Sequence, residues 1–325
     1  MRFAIAGAGA IGSYLGAMLY KAGQDASLIT RGPHLRAIRG RGLRVLMDGE
    51  GSFTVDIPAT EDPRDIGPVD VVVITAKAHS VESIAVGMKP LLGAETVVVS
   101  CQNGIPWWFF VGAKPPLDHL ATLDARGVIA SCIEQRRVLG SMWYPSLDFV
   151  EPGVIQLVPG NSRITIGEPS GERSVRCDAI TAALEAAGLN CAPTTQIRRE
   201  IWDKVLGTGA YNMLGALTRA TLRDMRNSAE LRPVARTVME EINAVAVRVG
   251  ITGLDVDQKV SAAATMGPHK MSMHQDLEMG RPLELEGIVG VALELGRRLD
   301  VPMPLTANLY ACARLLDVSA RASRA

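Results

Sequence analysis

A glycine-rich turn between a short apolar strand and a helical pattern is the feature that most constrains the fold of this chain. The apolar run from Phe3 to Ala6 predicts a buried strand, and the sequence Gly-Ala-Gly-Ala-Ile-Gly follows it and opens a helix. In this context the first glycine permits a tight turn, the second lets the backbone approach a pyrophosphate, and the third lets the helix pack on the sheet. An ordinary glycine-rich turn is the alternative interpretation. The predicted cofactor-binding residues of the turn are Gly7, Gly9, Ala10, Ile11 and Gly12.

The end of the second predicted strand favours NADP over NAD. An enzyme that uses NAD places a carboxylate there, about 20 residues beyond the glycines, whereas a 2′-phosphate requires a cation. Here the strand ends in Thr30 and Arg31, and a guanidinium can bind a phosphate through two parallel hydrogen bonds. Arg31 is therefore a predicted cofactor-binding residue and NADPH the predicted cofactor. A solvated surface charge is the alternative for Arg31, because Asp25 lies nearby in the sequence.

Strand-sized apolar runs alternate with helical patterns in the first half of the chain. Both faces of these runs are apolar, which is typical of a parallel sheet covered by helices. A hairpin from Leu43 to Ile57 is predicted to be inserted into the sheet, and a second hairpin is predicted to join Val154–Val158 to Arg163–Ile166. The four predicted parallel strands are Phe3–Ala6, Ala26–Thr30, Val71–Thr75 and Thr96–Ser100.

The pattern changes after Thr194 to long amphipathic helices. The predicted fold class is α/β, with a Rossmann-type NADP-binding domain at residues 1–194 and an all-helical substrate and catalytic domain at 195–325. The predicted helices of the second domain are Ile197–Ala216, Ala229–Val249, Asp255–Ala264, Leu283–Leu299 and one after Pro304.

Composition points to a small-molecule partner. The 34 basic and 34 acidic side chains cancel and form no block of like charge, which argues against a partner that is a nucleic acid or a membrane surface. The five cysteines are far apart and no histidine stands at ligand spacing from them, so we expect no disulfide framework and no metal site. No apolar run reaches the roughly 20 residues that span a bilayer, and no signal peptide is evident, so we expect a cytoplasmic protein. A homodimer is the commonest state of soluble oligomers and is a possibility here.

Polar residues follow two of the predicted parallel strands. Ligands of open α/β sheets bind beyond the carboxyl ends of the strands, so Lys77 is a candidate cofactor contact and Asn103 a candidate contact to cofactor or substrate. The alternatives are a solvated lysine and a plain Asn-Gly turn. The aromatic run from Trp107 to Phe110 comes next, and a packed cluster is favoured there over direct stacking on a substrate.

Lys204 is the candidate proton donor of the helical domain. Hydride transfer to a ketone leaves negative charge on the oxygen, and a cation or proton donor must stand within hydrogen-bond reach of it. Lys204 lies on a largely apolar helix, with Thr208 and Asn212 at i+4 and i+8 on the same face as candidate substrate-binding residues. Taken alone, a lysine on a helix is usually a surface residue.

The chain resembles the ketopantoate reductase (2-dehydropantoate 2-reductase) family over nearly its whole length. Matching pieces occur in the order that the family shows. They are the glycine turn at Gly7–Gly12, Lys77, Gln102–Gly104, Glu151–Gly153, Glu200–Lys204, Ser272–Asp276 and Gly280–Glu284.

The resemblance implies the NADPH-dependent reduction of 2-dehydropantoate to (R)-pantoate, a step of pantothenate biosynthesis. It implies that Lys204 is the general acid, that Glu284 positions it, and that Ser272 and Asn212 contact the substrate, with Asn103 between nicotinamide and substrate. The chain departs from the family at Thr208 and Val289, where asparagines are common. Another small branched 2-keto acid is therefore the alternative substrate, and a non-catalytic NADPH-binding sensor is the alternative function.

Overall fold

The computed structural model describes residues 1–47, 51–113, 117–261 and 269–323. Contacts between residues divide the chain into two compact units. The sheet unit comprises Met1–Gln102 and Arg126–Ile197, and the helical unit comprises Asn103–Ala125 and Arg198–Ala325. The segment Asn103–Ala125 thus groups with the later helices, although the predicted first domain runs without interruption to residue 194. The cofactor and substrate roles assigned to the two predicted domains stay predictions.

The larger sheet of the sheet unit has eight strands, which are β1 (Arg2–Ala6), β2 (Asp25–Ile29), β5 (Ala59–Thr60), β6 (Val69–Ile74), β7 (Leu92–Ser100), β8 (Val138–Trp143), β11 (Ile164–Gly167) and β12 (Cys191–Pro193). Their order across the sheet is β12-β11-β8-β7-β6-β1-β2-β5. All neighbouring pairs are parallel except β8 and β11, so the predicted Rossmann-type α/β class is confirmed.

The central strands form because their side chains are buried on both faces. Ile5, Leu28 and Val72 are fully buried, and β-branched residues pack well on a pleated surface. The four runs predicted as parallel strands all lie in this sheet, with ends that differ by a few residues. Helices cover it, and those of the sheet unit are α1 (Ala10–Lys21), α2 (Gly32–Arg41), α3 (Val81–Gly87), α5 (Val128–Cys132) and α6 (Val175–Ala186).

Four other strands form a separate sheet, which corrects both hairpin predictions. Its order is β4-β3-β10-β9, from β3 (Leu43–Leu46), β4 (Phe53–Val55), β9 (Ser146–Glu151) and β10 (Val154–Val158). The first hairpin does form as β3 and β4, but it pairs with β10 and is not inserted into the larger sheet. The second hairpin is wrong, because β10 pairs with β9 while β11 pairs with β8 and β12.

The described part of the helical unit contains helices and turns and no strand. The 22-residue helix α7 (Ile197–Thr218) runs close to its predicted bounds, and α9 (Leu231–Arg248) and α13 (Pro304–Ala322) also match predicted helices. The predicted helix Leu283–Leu299 is present over most of its length, but it starts with a π-helical turn, Glu286–Gly290, and continues as the α-helix Val291–Arg298. Of the predicted helix Asp255–Ala264, residues 262–264 lie outside the described residues. The helices are α4 (Ala121–Asp124), α7 (Ile197–Thr218), α8 (Leu222–Asn227), α9 (Leu231–Arg248), α10 (Val256–Ser261), α11 (Ser272–Glu278), α12 (Val291–Arg298) and α13 (Pro304–Ala322).

The buried carboxylate of Glu294 ties the segment Asn103–Ala125 to α12. It accepts hydrogen bonds from the backbone NH groups of Ala121 (3.0 Å) and Thr122 (2.8 Å) at the start of α4. Arg298, one turn later on α12, donates to the same carboxylate at 2.6 Å. Burial acts to raise the pKa of Glu294, but these hydrogen bonds and the charge of Arg298 outweigh it and hold the pKa below its usual value.

We expect Glu294→Gln to lower the free energy of unfolding by about 1–3 kcal/mol at pH 7, because the two backbone NH groups at the start of α4 and Arg298 lose a charged acceptor. Since the pKa of Glu294 is depressed in the folded state, its contribution is present above its unfolded pKa of about 4.3 and is lost as pH falls through the folded value. The difference between the wild type and the variant should therefore shrink below about pH 4. Urea unfolding followed by tryptophan fluorescence measures this, since Trp107, Trp108 and Trp202 all lie in the helical unit.

Glu185→Gln is the control, because Glu185 is an exposed glutamate on α6. Its unfolding curve should match that of the wild type at both pH values. A pH-independent loss in Glu294→Gln would mean that the carboxylate is not the stabilising form.

Candidate active site

The glycine turn is packed tightly against the neighbouring strand. Gly7 has φ +93°, and a Cβ there would lie 2.4 Å from the Cβ of Ala76. A Cβ at Gly12 would lie 2.3 Å from Oγ1 of Thr75. The NH groups of Gly7 and Ala8 both donate to the carbonyl of Ile29 at 3.1 Å. Two of the three glycines are therefore required by the packing of the protein itself.

Gly9 differs, because the protein does not use the space beside it. A Cβ at Gly9 would meet no other atom closer than 4.0 Å, and the residue is exposed. It precedes α1, whose N-terminus has no side-chain cap and no acidic residue in its first turn, which includes Ala10, Ile11 and Gly12. Uncapped helical NH groups beside an open glycine suit an anion that approaches the backbone closely. This geometry fits the pyrophosphate of a dinucleotide.

A histidine that the sequence analysis did not select supports this turn. His34 is buried, and its Nδ1 accepts a hydrogen bond from the backbone NH of Gly153 at 3.0 Å. Its Nε2 therefore carries the proton and donates to Oγ of Ser13 at 2.9 Å, and Ser13 donates to the carbonyl of Ala8. Burial lowers the pKa of His34, which keeps the ring neutral. These hydrogen bonds link Gly153 to the glycine turn through His34 and Ser13. No local sequence signal predicts this link.

The two predicted cations of the sheet unit lie at strand ends. Arg31 is exposed and stands two residues beyond Ile29, the residue whose carbonyl binds the glycine turn. Lys77 is half-buried and follows β6, directly after the Ala76 that packs on Gly7. Arg31 and Lys77 thus follow, by two residues and one residue, residues that contact the glycine turn. Their binding roles stay predictions.

Helix α7 and the start of α11 bring together two predicted substrate-binding residues. Oδ1 of Asn212 accepts from the hydroxyl of Ser272 at 3.0 Å and from the backbone NH of Met273 at 3.1 Å. The backbone donor fixes the orientation of the amide, because an NH group cannot bond to the nitrogen. Nδ2 of Asn212 is buried and has no hydrogen-bond partner among the described residues. This NH₂ group is a buried donor that the described residues leave unsatisfied.

Thr208 and Lys204 lie one turn apart on α7. The hydroxyl of Thr208 donates to the backbone carbonyl of Lys204 at 3.0 Å, so it can only accept a hydrogen bond from a ligand. Lys204 itself is half-buried, and Glu284 is buried directly before the π-helical turn. Their roles as acid and positioning residue stay predictions.

Asn103 is the first residue of the helical unit, and the two residues after it pack against the π-helical turn of that unit. A Cβ at Gly104, which has φ +95°, would lie 2.2 Å from the carbonyl oxygen of Gly287, and the NH of Ile105 donates to that oxygen at 2.8 Å. Gly104 is thus required where the chain crosses the π-helical turn. Oδ1 of Asn103 is buried and accepts no hydrogen bond from the described part of the chain.

The aromatic run from Trp107 to Phe110 is a packed cluster. All four side chains are buried, and the ring of Phe109 lies 5.9 Å from Trp108 and 6.4 Å, edge to face, from Trp202. The guanidinium of Arg198 lies 4.7 Å from the centre of the Phe109 ring. This cluster anchors the Trp202 of α7, two residues before Lys204.

Two family models match the chain in succession. The model described as Ketopantoate reductase PanE/ApbA matches residues 3–171, and its C-terminal counterpart matches residues 196–317. The chain belongs to the ketopantoate reductase family. The resemblance seen in the sequence is therefore confirmed, and this ketopantoate reductase family member is a dinucleotide-dependent oxidoreductase that acts on a small molecule.

Relatives match over the full length. The chain is 41% identical to a 2-dehydropantoate 2-reductase of Mesorhizobium japonicum, with 98% of each chain covered. The crystal structure of a candidate ketopantoate reductase from Ralstonia solanacearum MolK2 superposes with a TM-score of 0.92 at 35% identity, covering 99% of this chain and 98% of that one. A D-mandelate dehydrogenase with NADH and anilino(oxo)acetate has a TM-score of 0.83 at 23% identity and shows the shared fold, with 98% of this chain and 99% of that one covered.

Two further findings bear on earlier expectations for this ketopantoate reductase family member. All five cysteines are free thiols, and Cys101, Cys177 and Cys191 are buried. None of the described helices is both long and apolar enough to cross a membrane.

We expect Gly9→Ala to weaken dinucleotide binding at least tenfold while the melting temperature stays the same or rises. The new methyl group meets no protein atom, but it occupies the space through which a pyrophosphate would approach the backbone. Titration of the reduced dinucleotide by fluorescence, with a thermal melt of the free protein, measures both effects.

Gly40→Ala is the matched control, since Gly40 lies on α2 with open space around it. It should bind the dinucleotide as the wild type does. Gly12→Ala should instead lower the melting temperature, because its Cβ would clash with Thr75. Wild-type affinity in Gly9→Ala would show that no ligand approaches this residue.

Proposed function

We propose that this chain catalyses the NADPH-dependent reduction of 2-dehydropantoate to (R)-pantoate. The observation that carries the proposal is the buried, unpartnered NH₂ group of Asn212, fixed by Ser272 and Met273 on the helix that bears Lys204. A buried donor left without an acceptor costs free energy, so its retention favours a polar ligand at that position. Family membership indicates what that ligand is, because the 41% identical relative is a 2-dehydropantoate 2-reductase.

Each of the proposed site residues has a separate role in this reduction. The dinucleotide supplies the hydride when bound. Lys204 donates a proton to the carbonyl oxygen as negative charge develops there, and Glu284 positions the ammonium group. Asn212 and Ser272 hold the polar groups of the substrate, and Asn103 stands between the substrate and the nicotinamide.

The oxygen of Thr208 suits the hydroxyl group of 2-dehydropantoate. Because its own proton is donated to the Lys204 carbonyl, Thr208 can accept a hydrogen bond from a substrate hydroxyl. A site that bonds a substrate hydroxyl discriminates against an analogue that lacks it. A branched 2-keto acid without a hydroxyl is the second candidate substrate, since Val289 provides no polar group where the family often has asparagine.

A panel of 2-keto acids tests the proposal. We expect NADPH oxidation with 2-dehydropantoate to have a kcat/KM at least about 100-fold above that with trimethylpyruvate, which lacks only the hydroxyl group. Equal or higher values for trimethylpyruvate or another keto acid would transfer the assignment to that acid. A wild type that binds NADPH and reduces none of them would favour the sensor.

Lys204→Ala separates catalysis from binding in the same assay. It should lose about 100-fold or more in kcat and keep its affinity for NADPH. Lys89→Ala removes an exposed lysine of the sheet unit and should leave both values unchanged.

We expect Arg31→Ala to weaken NADPH binding about tenfold or more and NADH binding less than threefold, because only NADPH carries the 2′-phosphate that a guanidinium can bind. Direct titration of both dinucleotides measures the ratio. Arg36→Ala, which removes an exposed arginine from α2, the helix that Arg31 precedes, is the matched control. Equal losses for NADPH and NADH would refute the phosphate contact.

The cytoplasm as the compartment and a homodimer as the assembly stay predictions that accompany this function. Light scattering of the purified chain determines the assembly directly.

A further inference from the structure

A cavity of the helical unit lies among α8, α9 and α10. Its volume is about 490 Å³, which is within the range of sites that bind small molecules. Three arginines line it, together with the polar residues Asn227, Asp257 and Ser261. None of these residues belongs to the set assigned to the reaction.

Arg226 contributes a half-buried guanidinium to this cavity. Its Nε and Nη1 atoms are buried, and neither finds an acceptor among the described residues. The guanidinium lies over the ring of Tyr211, 5.1 Å from the ring centre. Burial lowers the pKa of Arg226, but an arginine remains protonated at any physiological pH. The cavity therefore has a persistent, poorly solvated positive charge at its wall.

Arg232 adds a second positive charge near the same place. The buried hydroxyl of Tyr211 is influenced by both guanidiniums: burial raises its pKa, and the charges of Arg226 and Arg232 oppose that shift. Within the described ranges no carboxylate forms an ion pair with either arginine. The two charges are thus not neutralised by the protein.

The third arginine is already paired. Arg236 lies 2.6 Å from Asp257 and 3.8 Å from Glu240, so the one acidic residue that lines the cavity is engaged by Arg236. Of the charged side chains that line the cavity, Arg226 and Arg232 thus remain as two positive charges without an ion-pair partner among the described residues. A half-buried guanidinium such as that of Arg226 is stabilised best by an oxyanion, which accepts hydrogen bonds from its planar NH groups, and the exposed Arg232 adds a second positive charge beside it.

We propose that this cavity binds a small molecule through an oxyanion group, a phosphate or a carboxylate, held by Arg226 and Arg232. Its volume greatly exceeds the roughly 30 Å³ that a water molecule occupies in the liquid, so it has room for the organic part of such a ligand. The site is independent of the proposed reaction, because it uses other side chains of the helical unit.

Calorimetric titration of the full chain with inorganic phosphate, and separately with malonate, tests the proposal at constant ionic strength set by sodium chloride. We expect saturable binding of at least one anion to the wild type. Arg226→Gln should raise its Kd at least tenfold. Arg232→Gln, which changes an exposed residue and should not affect folding, should raise it at least threefold.

Arg223→Gln is the matched control, because it removes one charge from an exposed residue of the same helix α8. Its Kd should stay within twofold of the wild-type value. Binding of phosphate alone assigns a phosphate ligand, and binding of malonate alone assigns a carboxylate. Absence of saturable binding by both anions, or an equal loss in the Arg223 and Arg232 variants, would overturn the proposal.

Discussion

The close approach of the glycine turn to the next strand sets the geometry of the sheet unit. Gly7 adopts a left-handed conformation directly against Ala76, and Gly12 brings α1 against Thr75. A side chain at either position would separate the helix from the sheet and move its N-terminus away from the strand ends. The space beside Gly9 stays open in the same turn, so the packing that holds α1 to the sheet leaves the proposed pyrophosphate position free of protein atoms.

Short sequence patterns predict most of the strands and helices, because each pattern lies within one run of consecutive residues. The parallel strands are short runs buried on both faces, and the first half of α7 carries apolar residues at helical spacing from Ile197 to Leu206. Strand pairing is different, since it depends on residues far apart. The parallel pair of β3 and β10 joins Arg44 to Val154, and no hairpin signal in the sequence indicates such a partner.

In the candidate site, too, the sequence predicts features within one helix but not hydrogen bonds between distant residues. The spacing of Lys204, Thr208 and Asn212 along one helix is predictable from the period of the helix. The hydrogen bonds that orient Asn212 come from a helix 60 residues later, and the bond from Gly153 to His34 spans 119 residues. Glu294 and Arg226 also escape prediction, because charged side chains on helices are usually solvated and only the tertiary structure shows these two to be buried or half-buried.

The assignment of Asn103–Ala125 to the helical unit has a consequence for dissecting the protein. A fragment that begins at residue 196, where the second family match begins, would omit this excursion of the chain. It would leave the Gly287 carbonyl without its donor, the Glu294 carboxylate without two of its donors, and the Trp202 indole stripped of its aromatic neighbours. The segments matched by the two family models are therefore not two independently folding domains. The helical unit includes Asn103–Ala125, which lies within the first match.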